Sequence, residues 1–464
     1  MTALNGRFAW LLGVRKVQIK TKVCVIGAGA GGTGCVYRLI KNGISTVVVD
    51  KNPSFGGTMV YSGVDGFEPG VSLDGMHSLL VEELSKVKNA AHVVEQVPNC
   101  NLHHPENGYD WSKHDFSKYP WGLSVGSDLP YSETLKRCTS LRGSATMKRF
   151  QFEPDEMTKA IEKILEPYSH NLTRFFGYSF VSCKTENGKV VSVTVSDGKS
   201  KIEIVADAFV DASGDIVLAR NAGCDYAFGT DSKDEYGEPC ADEKSDEVNA
   251  VTYVFRIAKT DYENHIDGIP DEYSDIDISE WCNTKMRHTV SCFTKYPNGD
   301  INVNMLPTME GKEYFAFGSD ADRISRARIY AYWHYLQNKR NMQGWTLTKI
   351  FDAGIRESYR LKGKHVLTEN DVRSGLNRQP KIGKTVAIAD HALDIHGKDG
   401  MCKELEFPYE IPIECAMANE YDNLFVACRG ASFSHIASSS IRLSRTMISF
   451  GEGVGEHICE LLKV

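Results

Sequence analysis

Lys22-Val23-Cys24-Val25-Ile26-Gly27-Ala28-Gly29-Ala30-Gly31-Gly32-Thr33 is the stretch on which the fold turns. Residues 23–26 are a continuous apolar, β-rich run of the kind buried in a parallel sheet. The run enters a glycine turn and then a helical stretch, 33–41, stopped by Asn42-Gly43. Residues 44–50 follow as a second buried strand that ends in an acid, Asp50. Gly27 permits the tight turn, Gly29 lets backbone approach a pyrophosphate, and Gly32 allows close helix–strand packing. The helix start offers unpaired N–H groups and a partial positive charge to phosphates. Asp50 falls where a carboxylate accepts from ribose hydroxyls, and an acid there disfavours a 2′-phosphate. The expected class is α/β, with a Rossmann-like, three-layer domain of parallel sheet plus β-meander and a discontinuous mixed α+β substrate or cap domain.

A second glycine pair follows at once, in Lys51-Asn52-Pro53-Ser54-Phe55-Gly56-Gly57-Thr58-Met59. An aperiodic, glycine-rich loop from Tyr61 to Gly70, including Ser62, takes the place of the further βα unit usual in NAD dehydrogenases. This arrangement resembles two-domain flavoproteins of the glutathione reductase type. The resemblance implies FAD as the cofactor, with Gly56, Gly57 and Thr58 near its ribityl chain and flavin.

Outward from there, the composition narrows the classes. The chain has 464 residues, 53 Lys plus Arg against 61 Asp plus Glu, and a net charge of -8. That excess of acid argues against nucleic-acid binding, which normally shows a basic face. Thirteen scattered cysteines without a CxxC fit neither a secreted disulfide framework nor a zinc ribbon. A reduced cytoplasmic chain with small core thiols is expected. No apolar run approaches the ~18 residues that cross a bilayer. Residues 8–14 slightly resemble a signal peptide but lack a cleavage site, and read as a lead-in packing on the fold.

Residues 86–149, rich in His, Pro, Tyr and Trp and aperiodic, read as an insertion. An amphipathic helix is predicted over 153–165, and strands over 180–183 and 190–196, joined through Asn187-Gly188. Further strands are expected over 201–206 and 208–211, the latter ending in Asp211-Ala212-Ser213-Gly214-Asp215. That ordering resembles the FAD domains of the same superfamily and their DATGD signature, which implies that Ser213 and Gly214 bring backbone to the adenosine half. Beyond Phe228 the composition becomes more charged, with β-like runs at 251–257 and 301–306 and a helix over 320–338. The expected division is 1–85, 150–228 and 402–464 for the cofactor domain, 86–149 for the insertion, and 229–401 for the substrate or cap domain.

The segment 355–372, Ile-Arg-Glu-Ser-Tyr-Arg-Leu-Lys-Gly-Lys-His-Val-Leu-Thr-Glu-Asn-Asp-Val, closely resembles a GxRExRRIxGxYxLTxxDV motif. Asp394-Ile395-His396-Gly397 matches an associated DIHG element, and 409–413, 422–429, 432–442 and 451–455 follow in order and spacing. On these residues the chain resembles the FAD-dependent oxidoreductase family. The resemblance implies a closing strand, a flavin-edge loop and a final helix opened by Gly451, Gly453 and Gly455. The cofactor-binding set expected from motif and resemblance is Gly27, Gly29, Gly32, Asp50, Lys51, Gly56, Gly57, Thr58, Ser62, Val181, Ser213, Gly214, Arg429, Gly451 and Val454.

A flavin takes a hydride at N5 and gathers negative charge near N1 and O2, so a helix N-terminus and a cation such as Arg429 or Arg442 suit it. His435 is the candidate acid/base, Arg442 and Arg445 are candidate anchors for an anionic or polyhydroxylated substrate, and Arg356 reaches the same cleft or pairs with Glu357. No metal is expected: His391, Asp394 and His396 would have to supply most of a shell alone. Arg378, Lys381 and Lys384 read as a solvated face. The sequence has no second strand–GxGxxG–helix unit and no redox-active CxxC, so a pyridine-nucleotide disulfide reductase is not expected. The reading is hydride transfer between a small organic substrate and flavin N5, with the electron acceptor or donor and a homo-oligomeric state left open. The alternatives are a thiazole-synthase-like enzyme, for which Cys428 is the tempting nucleophile, and a non-catalytic flavin-binding protein.

Overall fold

Residues 23–25 are fully buried, and the strand they belong to, Val17–Ile26, lies at the centre of a seven-stranded sheet. The computed structural model describes residues 17–68, 70, 75–98, 147–286, 289–397, 400–403, 405 and 407–462. The lead-in at 8–14 and most of the insertion, 99–146, lie outside the described residues. Val17–Ile26 pairs in parallel with Thr46–Asp50 on one side and Lys201–Asp211 on the other; Leu172–Phe176 extends the first side. A helix, Ala30–Lys41, connects the first two strands and is closed by Asn42 and by Gly43 at φ 77°.

Lys201–Asp211 is one strand where two are expected, because its halves have different neighbours. Residues 201–205 pair antiparallel with Lys189–Ser196, while residues 209–211 pair in parallel with Leu424–Val426. Lys189–Ser196 in turn forms a hairpin with Ser179–Glu186 across Asn187 (φ 50°) and Gly188 (φ 72°), the positive angles a tight two-residue hairpin demands. The helix Pro154–Leu165 carries Pro at its start and buries Met157, Ala160, Ile161 and Ile164.

A second seven-stranded sheet is antiparallel throughout, in the order Trp345–Gly354, Thr252–Lys259, Ile301–Leu306, Val290–Lys295, Ala91–Pro98, Met147–Phe152, Gly66–Phe67. The strands at either end of 99–146 are therefore paired neighbours, a pairing that the aperiodic sequence does not advertise. The helix Ala321–Lys339 covers this sheet, setting Ile329, Trp333 and Leu336 against Tyr253 and Phe255 in a separate apolar core. The described cysteines are all free. Among the described residues no helix is long and apolar enough to cross a membrane.

Candidate functional site

Two glycine loops meet at the carboxyl ends of the central strands. Gly27 has φ 108°, and a Cβ on it would lie 2.3 Å from the Ala212 carbonyl oxygen. A Cβ on Gly32 would lie 2.0 Å from the oxygen of Gly27. Gly29 differs: a Cβ there would meet nothing nearer than the Cα of Gly57, at 4.0 Å. Gly57 itself takes φ 50°, and the Gly56 N–H donates to the Ala28 carbonyl at 2.9 Å. Two bare backbones thus face each other beside the N-terminal end of Ala30–Lys41, which no side chain caps. Asp50 accepts from the N–H groups of Ala28 (2.6 Å) and Asn52 (2.7 Å), and burial raises its carboxyl above the ordinary range.

The other expected cofactor residues lie on several elements. Thr58 opens the short helix Thr58–Tyr61, and the Ser62 hydroxyl donates to the Ala353 carbonyl at 3.0 Å. Ser213 N would lie 2.7 Å from a Gly27 Cβ, and Ser213 Oγ donates to Asp211 at 2.6 Å. Gly214 (φ 84°) leaves room for the Arg429 guanidinium, which bonds Asp215 at 3.0 Å. Lys51 is exposed beside Asp50, and Val181 sits at a bulge of the outermost meander strand, 42% exposed. Ile216, a β-branched residue at φ 44°, marks the same turn as strained.

The terminal helix corrects one expectation. It spans Ser444–Leu461, so Gly451, Gly453 and Gly455 lie in its interior and do not open it. A Cβ on Gly451 would lie 1.9 Å from the Gly31 oxygen, and one on Gly34 2.1 Å from the Ile448 oxygen. These glycines let the terminal helix press onto Ala30–Lys41, and Val454 is wholly buried among the core residues. The exposed-dipole end of the helix is at Ser444, two residues after Arg442.

Before it lies the helix His435–Ile441, capped by Ser434, whose Oγ accepts from Ala437 N at 3.1 Å. His435 is buried; its Nδ1 is 3.0 Å from Glu357 Oε1 and its N–H donates to Asp231 at 2.6 Å. Arg360, 1% exposed, bonds Glu357, Asp231 and the carbonyls of Gly229 and Phe433. Burial alone would raise the Glu357 carboxyl, but His435 and then Arg360 outweigh it and hold it at about 2.

Arg356 does not pair with Glu357. Its Nη1 donates to the Ala250 carbonyl (2.8 Å) and Thr252 Oγ1 (2.6 Å). Arg442 bonds the carbonyl and carboxylate of Asp394, and His396 Nε2 lies 2.8 Å from the same carboxylate. Burial opposes ionisation of Asp394, yet the His396 hydrogen bond and the Arg442 charge hold it below the usual carboxylate range. Burial and the neighbouring Arg356 push His396 down to about 4. Arg445 is buried against Asp390 at 2.7 Å, the place of a core ion pair. Lys381 and Lys384 meet Glu410 and Glu460 at the surface. Among the described residues no group of three His, Cys, Asp or Glu is arranged to hold a metal.

Sequence reasoning reached the glycine loop, Asp50, His435, Arg442 and Arg356, but missed Asp231, Glu357 and Arg360 as a unit. Glu357 and Arg360 were within the quoted motif, and their i, i+3 spacing of opposite charge was the available signal. Asp231 sits in a charged stretch and had none.

The donors and clearances fit a dinucleotide: Gly29 is the open position in an otherwise closed loop, and Asp50 sits at the adjoining strand end. A model of the family described as FAD dependent oxidoreductase matches residues 22–460. The small chain of glutamate synthase [NADPH] from Halomonas elongata is 45% identical over 159 residues, 34% of this chain and 27% of that one. The match thus spans about a quarter of that relative's length. Among solved structures, a geranylgeranyl bacteriochlorophyll reductase-like protein from Thermoplasma acidophilum superposes with TM-score 0.48 at 11% identity, over 96% of this chain and 79% of that one. A glycerol-3-phosphate dehydrogenase from Bacillus halodurans complexed with FAD does so with TM-score 0.42 at 12% identity, over 96% and 65%. With the family match covering nearly the whole chain, this protein belongs to the FAD dependent oxidoreductases and is an enzyme whose cofactor is FAD.

Proposed function

We propose that the protein transfers a hydride between a small organic substrate and N5 of its flavin. When bound, FAD supplies a two-electron centre at N5 with negative charge gathering near N1 and O2. Gly27, Gly29, Gly32 and Asp50 would hold the pyrophosphate and ribose, with Ser213 and Gly214 toward the adenosine half, Lys51 and Val181 further members of the set, and Arg429 a cation for the flavin. Gly56, Gly57, Thr58 and Ser62 line the flavin half. The N–H groups opening the helix at Ser444, with Arg442 close by in the chain, offer positive potential where negative charge gathers. His435 handles a proton at Nε2: Glu357 holds Nδ1, which fixes the ring and its tautomer and leaves the other nitrogen as the working edge.

In this reading the cofactor side comprises 1–85, 150–228 and 402–464, and the substrate side 229–401 with the insertion. A cytoplasmic location and an electron acceptor of unassigned class belong to the same proposal. The single observation that carries it is the open face of Gly29 against Gly57 beside the Asp50 carboxylate. Thiazole-synthase-like chemistry gains no support from Cys428, whose buried thiol is pushed up to about 12. The deciding experiment is an anaerobic screen of small organic substrates on the purified yellow protein. Bleaching of the flavin by one donor class supports hydride transfer; a flavin inert to every donor and every acceptor refutes it.

A further inference from the structure

Arg356 makes no hydrogen bond or ion pair with a carboxylate among the described residues; Asp394, held by Arg442, acts on it only at longer range. Its two hydrogen bonds, both from Nη1, go to neutral oxygens, the Ala250 carbonyl and the Thr252 hydroxyl. The Nε–Nη2 edge, the one whose parallel N–H groups match a carboxylate, makes no hydrogen bond in the described structure. Arg442 is a second, similar case. It is 10% exposed, its Nη2 is committed to Asp394, and its buried Nε has no hydrogen-bond partner. The two guanidiniums act on each other: burial, then the like charge of Arg442, pull Arg356 down to about 9. Holding two cations together behind one ionised aspartate, with His396 uncharged at neutral pH, is unfavourable unless an anion joins them.

Their position is also informative. Arg356 follows Gly354, whose added Cβ would lie 4.0 Å from the side chain of Ser62, in the loop beyond Gly57. Arg442 lies two residues before Ser444, where the terminal helix begins. The two arginines are linked through Ala250: its carbonyl accepts from Arg356 and its N–H donates to the His396 carbonyl, and the His396 ring meets the Asp394 carboxylate that Arg442 also holds.

We propose that Arg356 and Arg442 together bind a carboxylate of the substrate, so that the enzyme acts on small organic acids. This rests on the hydride-transfer reading for the location of the site, but it is tested by binding alone. Purified holoenzyme is titrated with acetate, propionate and benzoate, and with acetamide, propionamide and benzamide as neutral isosteres. Binding is read by calorimetry and by perturbation of the flavin spectrum. At least one acid is expected to bind about 10–100-fold more tightly than its amide, the range for charge-assisted hydrogen bonds. R356Q is expected to remove that preference, and R356K to retain part of it.

Equal binding of acids and amides by the wild type overturns the proposal, as does failure of every acid to bind. Inorganic phosphate binding as tightly as the best acid overturns the commitment to a carboxylate. A preference unchanged in folded R356Q removes Arg356 from the site. The wild-type comparison stands even if R356Q does not fold. Acid binding to a flavin that no donor reduces would sink hydride transfer and leave the anion site intact. Bleaching by neutral donors, with no preference for acids, would do the reverse.

Discussion

Two interior contacts hold this molecule together by opposite means. Between Ala30–Lys41 and Ser444–Leu461 the contact is made chiefly of absent side chains: Gly34, Gly451 and Gly455 bring the helices together, with Arg38 bridging Glu452 and Glu456 beside them. Below the loop at 432–435 it is made of charge: Asp231, Glu357, Arg360 and His435 are all buried and bonded to one another. The first contact tolerates no added atom and the second no missing one. A glycine seam needs shape alone, whereas a buried charge lattice needs every partner in place.

The largest effect is expected where the lattice loses its centre. Arg360→Ala leaves Asp231 and Glu357 buried without their cation, a change that costs about 3–5 kcal/mol, measurable by urea denaturation. Arg360→Lys cannot restore the forked contacts to Glu357, Asp231 and two carbonyls, so it should recover less than half of the loss. A fully stable lysine variant would show that charge, not geometry, holds this region. On the other side, Gly451→Ala sets a Cβ 1.9 Å from the Gly31 oxygen, and the two helices must separate. Overpacking of this kind costs about 1–3 kcal/mol. If the variant melts with the wild type, the seam is not close-packed and the contrast fails.

A buried carboxylate at the entrance to the antiparallel sheet sharpens the comparison through pH. Asp65 is wholly buried and accepts from Tyr296, from Gln151 at 2.5 Å and from Asn302 at 2.9 Å. Burial outweighs these bonds and raises its pKa from 3.8 to about 6. A raised carboxyl binds its proton more tightly in the folded state, so between about 4 and 6 stability falls as pH rises, and the penalty is complete above 6. The shift of roughly two units corresponds to at most about 3 kcal/mol. Asp65→Asn should flatten that slope relative to wild type, whatever its effect on absolute stability. An unchanged slope would place the titration elsewhere. Across the glycine seam Arg38 bridges Glu452 and Glu456, both at 3.4 Å; Gly451→Ala removes no titratable group and should keep the pH dependence of the wild type.

The contrast also explains what could be read in advance. Continuous apolar runs at 23–26 and 47–49, punctuated by glycines at fixed offsets, are local signals, and they disclosed the parallel sheet and the loop at its ends. The terminal glycines were legible as residue types but not by position, since a GxGxG run looks alike at a helix start and in a helix interior. Pairing of Ala91–Pro98 with Met147–Phe152 had no local signature, because the alternation that marks a half-buried strand is broken there by charged and polar residues. Arg360 meets Asp231 across a separation of 129 positions, and His435 meets Glu357 across 78. No periodicity connects residues so far apart, so the chemistry of the lattice appears only once the chain is folded. Arg356 shows the same limit: adjacency suggested Glu357 as its partner, but the Glu357 side chain meets Arg360 and His435 instead.

Gly29 offers the smallest expected effect and the sharpest division. Its backbone (φ −71°, ψ −168°) is open to any residue, and an added Cβ would meet nothing within ordinary contact. Gly29→Ala should therefore leave the flavin-free protein within about 0.5 kcal/mol of wild type, as surface substitutions generally do. The same methyl group would stand where a pyrophosphate must approach the backbone. Affinity for FAD should fall by about tenfold or more, the equivalent of about 1.4 kcal/mol, in a fluorescence titration of apoprotein. Gly451→Ala reverses the pattern, losing stability even without cofactor. If Gly29→Ala instead destabilises the apoprotein as Gly451→Ala does, both glycines serve packing and the open loop is no cradle. If it binds FAD as tightly as wild type, the pyrophosphate lies elsewhere, and the hydride-transfer reading loses the observation that carries it.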